Sequence, residues 1–418
     1  MLARDYRTGV AGTRDLIKCA GYAQQCINGE KKLNIPKADG YLQVALCLNA
    51  RMEDMLNVTD TKMNGTLPFS SQLADAVREA VRDYHEGSMY KRDEAVRTFR
   101  RNLFPRWKPG LGNVLACCDI FQIILEAAYE KYVSAANQNN QNYQEIARLG
   151  YVSKAYLVLA AIGTSGGALN LLAQMLINQA NQYEADQRIS FFRRHPDIDT
   201  FVQQHAAPYG WPLNDNYALA YRVLQSVCGI QRGSQPYSHM KKAELVLKGY
   251  VSESSSTQLT SLNIAINGGL AMGHYWKGRL LLEQAKQDHD RCNDYKDAAI
   301  ASFCATNVTE RFDHLPENAD EDAAPQLSPP QWLSAIELLR YPDRAVFRVD
   351  RRMVFQTIYQ KLTQQVEEVQ SDNIQIHNER YRLTKKDVRS NLERCLDMVK
   401  AQFPDKEPLI QKMIRSIR

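Results

Sequence analysis

Apolar residues recur every three or four positions along most of the chain, which is the spacing of one face of an α-helix. In residues 70–87 a serine precedes the apolar series and a glycine follows it, as is typical of a helix with a defined start and end. The same period runs through residues 41–56, 112–135, 258–286 and 383–402. Alternating or β-branched runs bounded by Gly or Pro hardly occur. The pattern therefore predicts a mainly α protein, a multi-helix globular body with little or no sheet.

The longest periodic segment runs from about Arg351 to Tyr381 and predicts a long C-terminal helical segment. Its apolar residues follow one another at four-residue steps: Val354, Ile358, Leu362 and Val366. Gln and Glu fill the other faces, so we expect the helix to be partly exposed, with room for a partner along one side.

Two polar segments indicate how the chain is divided. Residues 314–331 are acidic and rich in Pro, which favours a linker between a large helical body at 1–313 and a basic helical C-terminal region at 332–418. A softer break lies near 205–214, where prolines and a glycine bracket two aromatic residues. Residues 134–145 are polar and almost uncharged, and predict a surface connection.

Composition and apolar run length favour a folded protein that is not inserted in a membrane. The chain has 418 residues, of which 44% are hydrophobic and 24% charged, as in ordinary globular proteins. Its longest apolar stretch, 155–177, is interrupted by the Gly-rich segment 163–167 and predicts two buried elements. Nine cysteines without a CxxC pair suit free thiols in a reducing compartment, so we expect an intracellular, cytoplasmic location.

Positive charge is concentrated at the end of the sequence. The net charge is +5, from 52 Lys and Arg against 47 Asp and Glu. Residues 332–418 hold 17 of these basic residues against 12 acidic ones, whereas the rest of the chain is balanced. This asymmetry favours an acidic partner such as a phosphate backbone.

One short motif has a catalytic interpretation. Residues 163–167 match G-x-S-x-G, in which a serine sits on a tight turn between a strand and a helix, and Ser165 would be the nucleophile. The residues before it could form a strand, but no oxyanion-hole loop precedes them and no histidine is placed by a motif. A Gly-rich turn between two buried helices is the alternative that we favour. The sequence shows no metal-ligand spacing and no nucleotide-binding motif, so we expect no catalytic residue, metal or cofactor.

Basic residues interleaved with aromatic ones carry more weight, because cations contact phosphates while aromatic rings stack on bases. Such clusters occur at 91–108 and 188–197, and basic residues also cluster at 344–352 and 382–389. The candidate RNA-binding residues are Arg97, Arg100, Arg101, Arg106, Trp107, Lys108, Arg193, Arg194, Arg348, Arg351, Arg352, Lys385, Lys386 and Arg389. We expect Arg348, Arg351 and Arg352 to share one helical flank if the helix begins near residue 347. The alternative for each cluster is a solvated helix face with its aromatic residues in the core.

These observations favour a structural protein that associates into a large homo-oligomer and encloses or coats RNA. In its general helical character the chain resembles the coat proteins of small double-stranded RNA viruses and the nucleoproteins of negative-strand RNA viruses, and no residues are carried over from either. Such proteins bind phosphate without reading the bases. The alternatives are a helical scaffold or adaptor that uses the long helix as a partner surface, and a serine hydrolase that uses Ser165.

Overall fold

In the computed structural model, helices and their connections account for all the described residues, which form no strand. The described residues are 2–10, 12, 14–29, 37–57, 67, 69–86, 89–98, 118–163, 165–186, 216–229, 235–313, 325–344, 346–370 and 385–417. The prediction of a mainly α, multi-helix body is therefore confirmed. The described residues divide into two compact units, one reaching Ala173 and the other beginning at Gln174.

Unit 1 is built from seven described helices and the first part of an eighth. They are α1 (Leu2–Thr8), α2 (Leu16–Asn28), α3 (Lys37–Asn57), α4 (Ser71–Glu86), α5 (Met89–Thr98), α6 (Cys118–Ala136), α7 (Gln141–Ile162) and the beginning of α8 (Gly166–Asp186). Helices α3 and α7 pack along each other, and the buried Ser153 hydroxyl of α7 donates to the Ala45 carbonyl of α3 over 2.9 Å.

Unit 2 contains the remaining helices. They are α9 (Asn216–Cys228), α10 (Pro236–Leu247), α11 (Ser255–Asn267), α12 (Ala271–Gln287), α13 (Cys292–Cys304), α14 (Val308–Asp313), α15 (Pro329–Leu339), α16 (Arg351–Gln370), α17 (Lys385–Gln402) and α18 (Glu407–Ser416), with a short 3₁₀ turn at Pro404–Lys406. One continuous hydrophobic core runs from Met240 on α10 to Ile417 after α18.

Several sequence predictions are confirmed by these helix bounds. The capped pattern at 70–87 becomes α4, whose first turn is capped by a hydrogen bond of 3.0 Å from the Gln72 N–H to the Ser70 hydroxyl. The apolar stretch 155–177 is broken where expected, because α7 ends at Ile162 and α8 begins at Gly166.

The predicted linker at 314–331 does not coincide with the boundary between the units. Residues 329–339, at its end, form α15, whose Trp332 and Ile336 pack in the same core as Phe303 and Phe312 from before it. Residues 314–324 lie outside the described part of the chain. The structure therefore groups residues on both sides of the predicted linker in one unit.

Among the described residues, no single helix combines the length and apolar character needed to cross a membrane. The helix pair Gln141–Ile162 and Gly166–Ile177 meets those criteria only when its two bent segments are taken together.

Gly278 sets how closely α12 approaches α13. A Cβ atom built at this position would lie 2.5 Å from Cε1 of Phe303, a ring that is fully buried. We expect Gly278→Ala to lower the free energy of unfolding by about 1–3 kcal/mol, because the overpacked ring cannot move away. This loss exceeds the gain of about 0.8–1 kcal/mol that Ala brings to a helix interior.

The matched control is Gly21→Ala in α2, where an added Cβ meets no atom within 4 Å. We expect this variant to be as stable as the parent or slightly more so, in urea unfolding followed by circular dichroism. Equal effects of the two substitutions would contradict the role given to Gly278.

Candidate anion-binding cavity

A cavity of about 300 Å³ lies in unit 2, and four of its ten lining residues are Lys or Arg. Helix α12 supplies one face, because Arg279, Glu283 and Lys286 are spaced at four and three residues and therefore project together. His289 comes from the turn after α12, and Lys296 from α13. The close α12–α13 approach at Gly278 holds these two helices together.

The end of α15 completes the lining with Arg340 and Tyr341. The remaining lining residues are Leu282, Ala285 and Cys292. Four Lys and Arg side chains and one histidine thus converge on a cavity to which a single carboxylate, that of Glu283, contributes. Such a lining favours an anion.

The buried carboxylate of Glu337, which is not part of the lining, orients the two arginines that line the cavity. Glu337 of α15 is fully buried, and its Oε2 lies 3.2 Å from Arg340 Nη1 while its Oε1 lies 3.6 Å from Arg279 Nη1. Arg394 of α17 also reaches Oε1, over 3.1 Å. Burial alone would raise the pKa of the Glu337 carboxyl, but the three guanidinium groups hold that pKa below its usual value. One anion therefore faces three cations, and the group keeps a positive excess.

The two lysines of the lining differ in their surroundings. Lys286 is exposed and pairs with Glu283 over 2.8 Å. Lys296 is half-buried, and no described residue forms an ion pair with it. Within the described part of unit 2, the charge of Lys296 is therefore available to an anion in the cavity.

Two of the aspartates that adjoin the lining residues in sequence are engaged elsewhere. Asp297 Oδ1 lies 2.6 Å from Arg344 Nη2, and Asp288 Oδ1 accepts a hydrogen bond from the Arg291 N–H over 3.1 Å. Neither aspartate belongs to the cavity lining. Within the described part of the chain, no group of His, Cys, Asp or Glu side chains has the arrangement of a metal site.

The structure places the basic residues singled out in the sequence in different environments. Arg348 and Arg352 are exposed. The expectation that Arg351 shares a helical flank with them is wrong, because α16 begins only at Arg351 and its guanidinium donates to the Leu339 and Tyr341 carbonyls. Arg351 thus donates hydrogen bonds to one carbonyl at the end of α15 and to another just after it.

The other described candidates are dispersed. Arg97 is exposed on α5, Arg389 Nε donates to Glu393 Oε1 over 3.0 Å, and Lys386 Nζ lies 4.7 Å from the centre of the Tyr250 ring. Lys385 begins α17. The remaining candidates lie outside the described residues: Arg100, Arg101, Arg106, Trp107, Lys108, Arg193 and Arg194.

Sequence reasoning missed the cavity residues because they are far apart in the chain. Four helices end between Arg279 and Arg340, and the stretch from Arg279 to Lys296 inclusive contains as many acidic as basic residues. The one available signal was the helical spacing of Arg279 and Lys286, seven residues apart on α12.

The environment of Ser165 differs from that of a hydrolase nucleophile. Ser165 is 3% exposed and lies between two helices instead of between a strand and a helix. Its hydroxyl donates directly to Asp39 Oδ1 over 2.9 Å, so no described histidine stands between them. The favoured interpretation, a Gly-rich turn between buried helices, matches this geometry.

The long helix also differs from the expected partner surface. Over Arg351–Gln370 the apolar stripe of Val354, Ile358 and Leu362 is fully buried in the core of unit 2. In this described part of the helix, the face available to a partner is therefore polar, and residues 371–381 lie outside the described part.

Comparison of the chain with protein-family models, with curated proteins and with solved structures finds no match in any of the three.

Proposed function

We propose that this protein is a structural subunit that associates with copies of itself and encloses or coats RNA, in the manner of a viral capsid protein or nucleoprotein. The observation that carries the proposal is the concentration of cations in unit 2, where four Lys and Arg side chains line a cavity and Arg348 and Arg352 are exposed on the segment that follows Arg340. Lys and Arg side chains contact phosphate whatever the base sequence, so binding would be non-specific in sequence.

Exposed arginines close to the cavity in sequence support contact with a polyanion. Arg348 and Arg352 lie on the segment that leads from Arg340 into α16, and both side chains are exposed. The Arg344–Asp297 ion pair and the bonds from Arg351 to carbonyls near the end of α15 hold this segment against its own unit. Unit 2 therefore presents basic side chains to phosphates both in the cavity and on the exposed segment that follows it.

Apolar side chains exposed at the beginning of unit 1 support self-association. Leu2 is 53% exposed, Val10 80% and Ile17 59%, all within the first two helices and their connection. Their exposure and their closeness in the chain make this segment our candidate contact surface for a second copy. In the proposal the protein is cytoplasmic and forms part of the virion or nucleoprotein particle.

The test is size-exclusion chromatography with light scattering on the purified protein, with the 260/280 nm absorbance ratio read before and after nuclease. We expect a particle of many subunits that carries RNA, with a 260/280 ratio that falls when nuclease removes accessible RNA. A monomer or dimer free of nucleic acid at every protein concentration measured would contradict the proposal.

A further inference from the structure

The donors of the cavity converge on one small volume instead of following a groove. Its lining comes from α12, the turn after it, α13 and the end of α15, and encloses about 300 Å³. Proteins that follow a nucleic-acid backbone space their cations along an extended positive groove. A cavity of this size lies at the lower end of the range for sites that hold a small ligand or one group of a larger ligand.

The arginines of the cavity retain unused donors. Arg340 uses Nη1 for Glu337, and Arg279 uses Nη1 for Glu337 and for the Tyr275 hydroxyl. No described residue accepts a hydrogen bond from the other guanidinium nitrogens of these two side chains. Planar pairs of N–H donors bind phosphate oxygens in a bidentate manner.

Tyr341 adds a neutral donor to this set. Burial is the main cause that raises the pKa of its hydroxyl, so the group is protonated at neutral pH. A protonated phenol can donate to an anionic oxygen, and its ring offers a flat surface to a base.

The charge of the lining fits a terminal phosphate better than an internal one. An internal phosphodiester carries one negative charge, whereas a terminal phosphate carries about −1.5 to −2 and exposes three acceptor oxygens. Among the described residues Lys296 has no carboxylate partner, and the two arginines share the Glu337 carboxylate while keeping unused donors. A group with more than one negative charge, such as the terminal part of a di- or triphosphate, therefore suits the lining better than an internal phosphodiester.

We propose that the cavity formed by Arg279, Lys296, Arg340 and Tyr341 binds a terminal di- or triphosphate. The 5′ end of an RNA and a free nucleotide both carry this group. The RNA source rests on the function proposed above, whereas the nucleotide source does not.

The test measures fluorescence anisotropy of two labelled RNA oligonucleotides of identical sequence, one with a 5′-triphosphate and one with a 5′-hydroxyl. We expect the triphosphate end to bind at least about tenfold more tightly, and tripolyphosphate to remove this preference by competition. Lys296→Glu should abolish the preference, and Lys296→Gln should reduce it. Lys412→Glu, an exposed charge reversal on α18, should leave the preference unchanged.

The outcomes separate the two proposals. If both RNAs bind tightly and equally, RNA coating stands and the cavity inference is overturned. If neither RNA binds but isothermal titration detects tripolyphosphate and Lys296→Glu removes that binding, the cavity inference stands with a free nucleotide as its source. If a Lys296→Glu protein with unchanged melting temperature and circular dichroism keeps the triphosphate preference, the cavity does not hold the phosphate.

Discussion

Replacing Glu337 with Gln should lower the free energy of unfolding of unit 2 by about 3–5 kcal/mol, because among the described residues it removes the only anion of a cluster built around this buried carboxylate. Arg279, Arg340 and Arg394 all approach this carboxylate within 3.6 Å. Gln supplies the same shape and can still accept a hydrogen bond, but it carries no charge. The substitution therefore leaves three guanidinium groups close together without a counter-ion.

The measurement is urea unfolding followed by tryptophan fluorescence, since Trp276 and Trp332 both lie in the core of unit 2. Glu283→Gln is the matched control, because Glu283 is 41% exposed and the exposed Lys286 is its one ion-pair partner among the described residues. An exposed pair of this kind contributes about 0–1 kcal/mol. A Glu337→Gln variant no less stable than Glu283→Gln would show that the cluster does not stabilise the fold.

The pH dependence gives an independent check with a defined sign. The pKa of the Glu337 carboxyl is lowered in the folded protein, so its contribution is complete above the ordinary carboxyl pKa and is lost as the pH falls towards the folded-state value. The stability difference between the parent and Glu337→Gln should therefore be largest near neutral pH and shrink in acid. A difference that grows on acidification would contradict the assignment.

Local patterns allowed much of the fold to be predicted. The helix at 71–86 combines a serine cap with a regular apolar period, and both signals act within a few residues of each other. The break after Ile162 was also predictable, since glycines interrupt an apolar run there. The sequence favoured a helix before Ser165 but left a strand open, because a short apolar run suits a buried strand as well as a buried helix.

The candidate site could not be predicted from local patterns. Its cations come from α12, α13 and the end of α15, and only packing brings Lys296 and Arg340 to one cavity. Local pattern also misled at Arg351. This residue belongs to a run of basic residues, but its guanidinium donates hydrogen bonds to the carbonyls of Leu339 and Tyr341. A run of charge indicates which residues are basic, but hydrogen bonding decides which of them remain available.

Reversing the charge of Arg348 and Arg352 together should weaken RNA binding by roughly 10- to 100-fold at low salt. Both side chains are exposed, and neither forms an ion pair with a described residue. Each is therefore free to contact a phosphate and release a counter-ion. Because no base contact is involved, the loss should be the same for RNAs of different sequence.

The salt dependence distinguishes phosphate contacts from a general effect of net charge. Between about 50 and 200 mM salt, the slope of log affinity against log salt should fall by about two for Arg348→Glu with Arg352→Glu, since each arginine neutralises about one phosphate. Lys412→Glu with Arg415→Glu makes the same change in net charge at exposed positions of α18, and should leave most of the slope in place. If both double variants lose affinity and slope equally, RNA is held by the overall charge of the protein, and the segment between Arg340 and α16 has no special part in binding it.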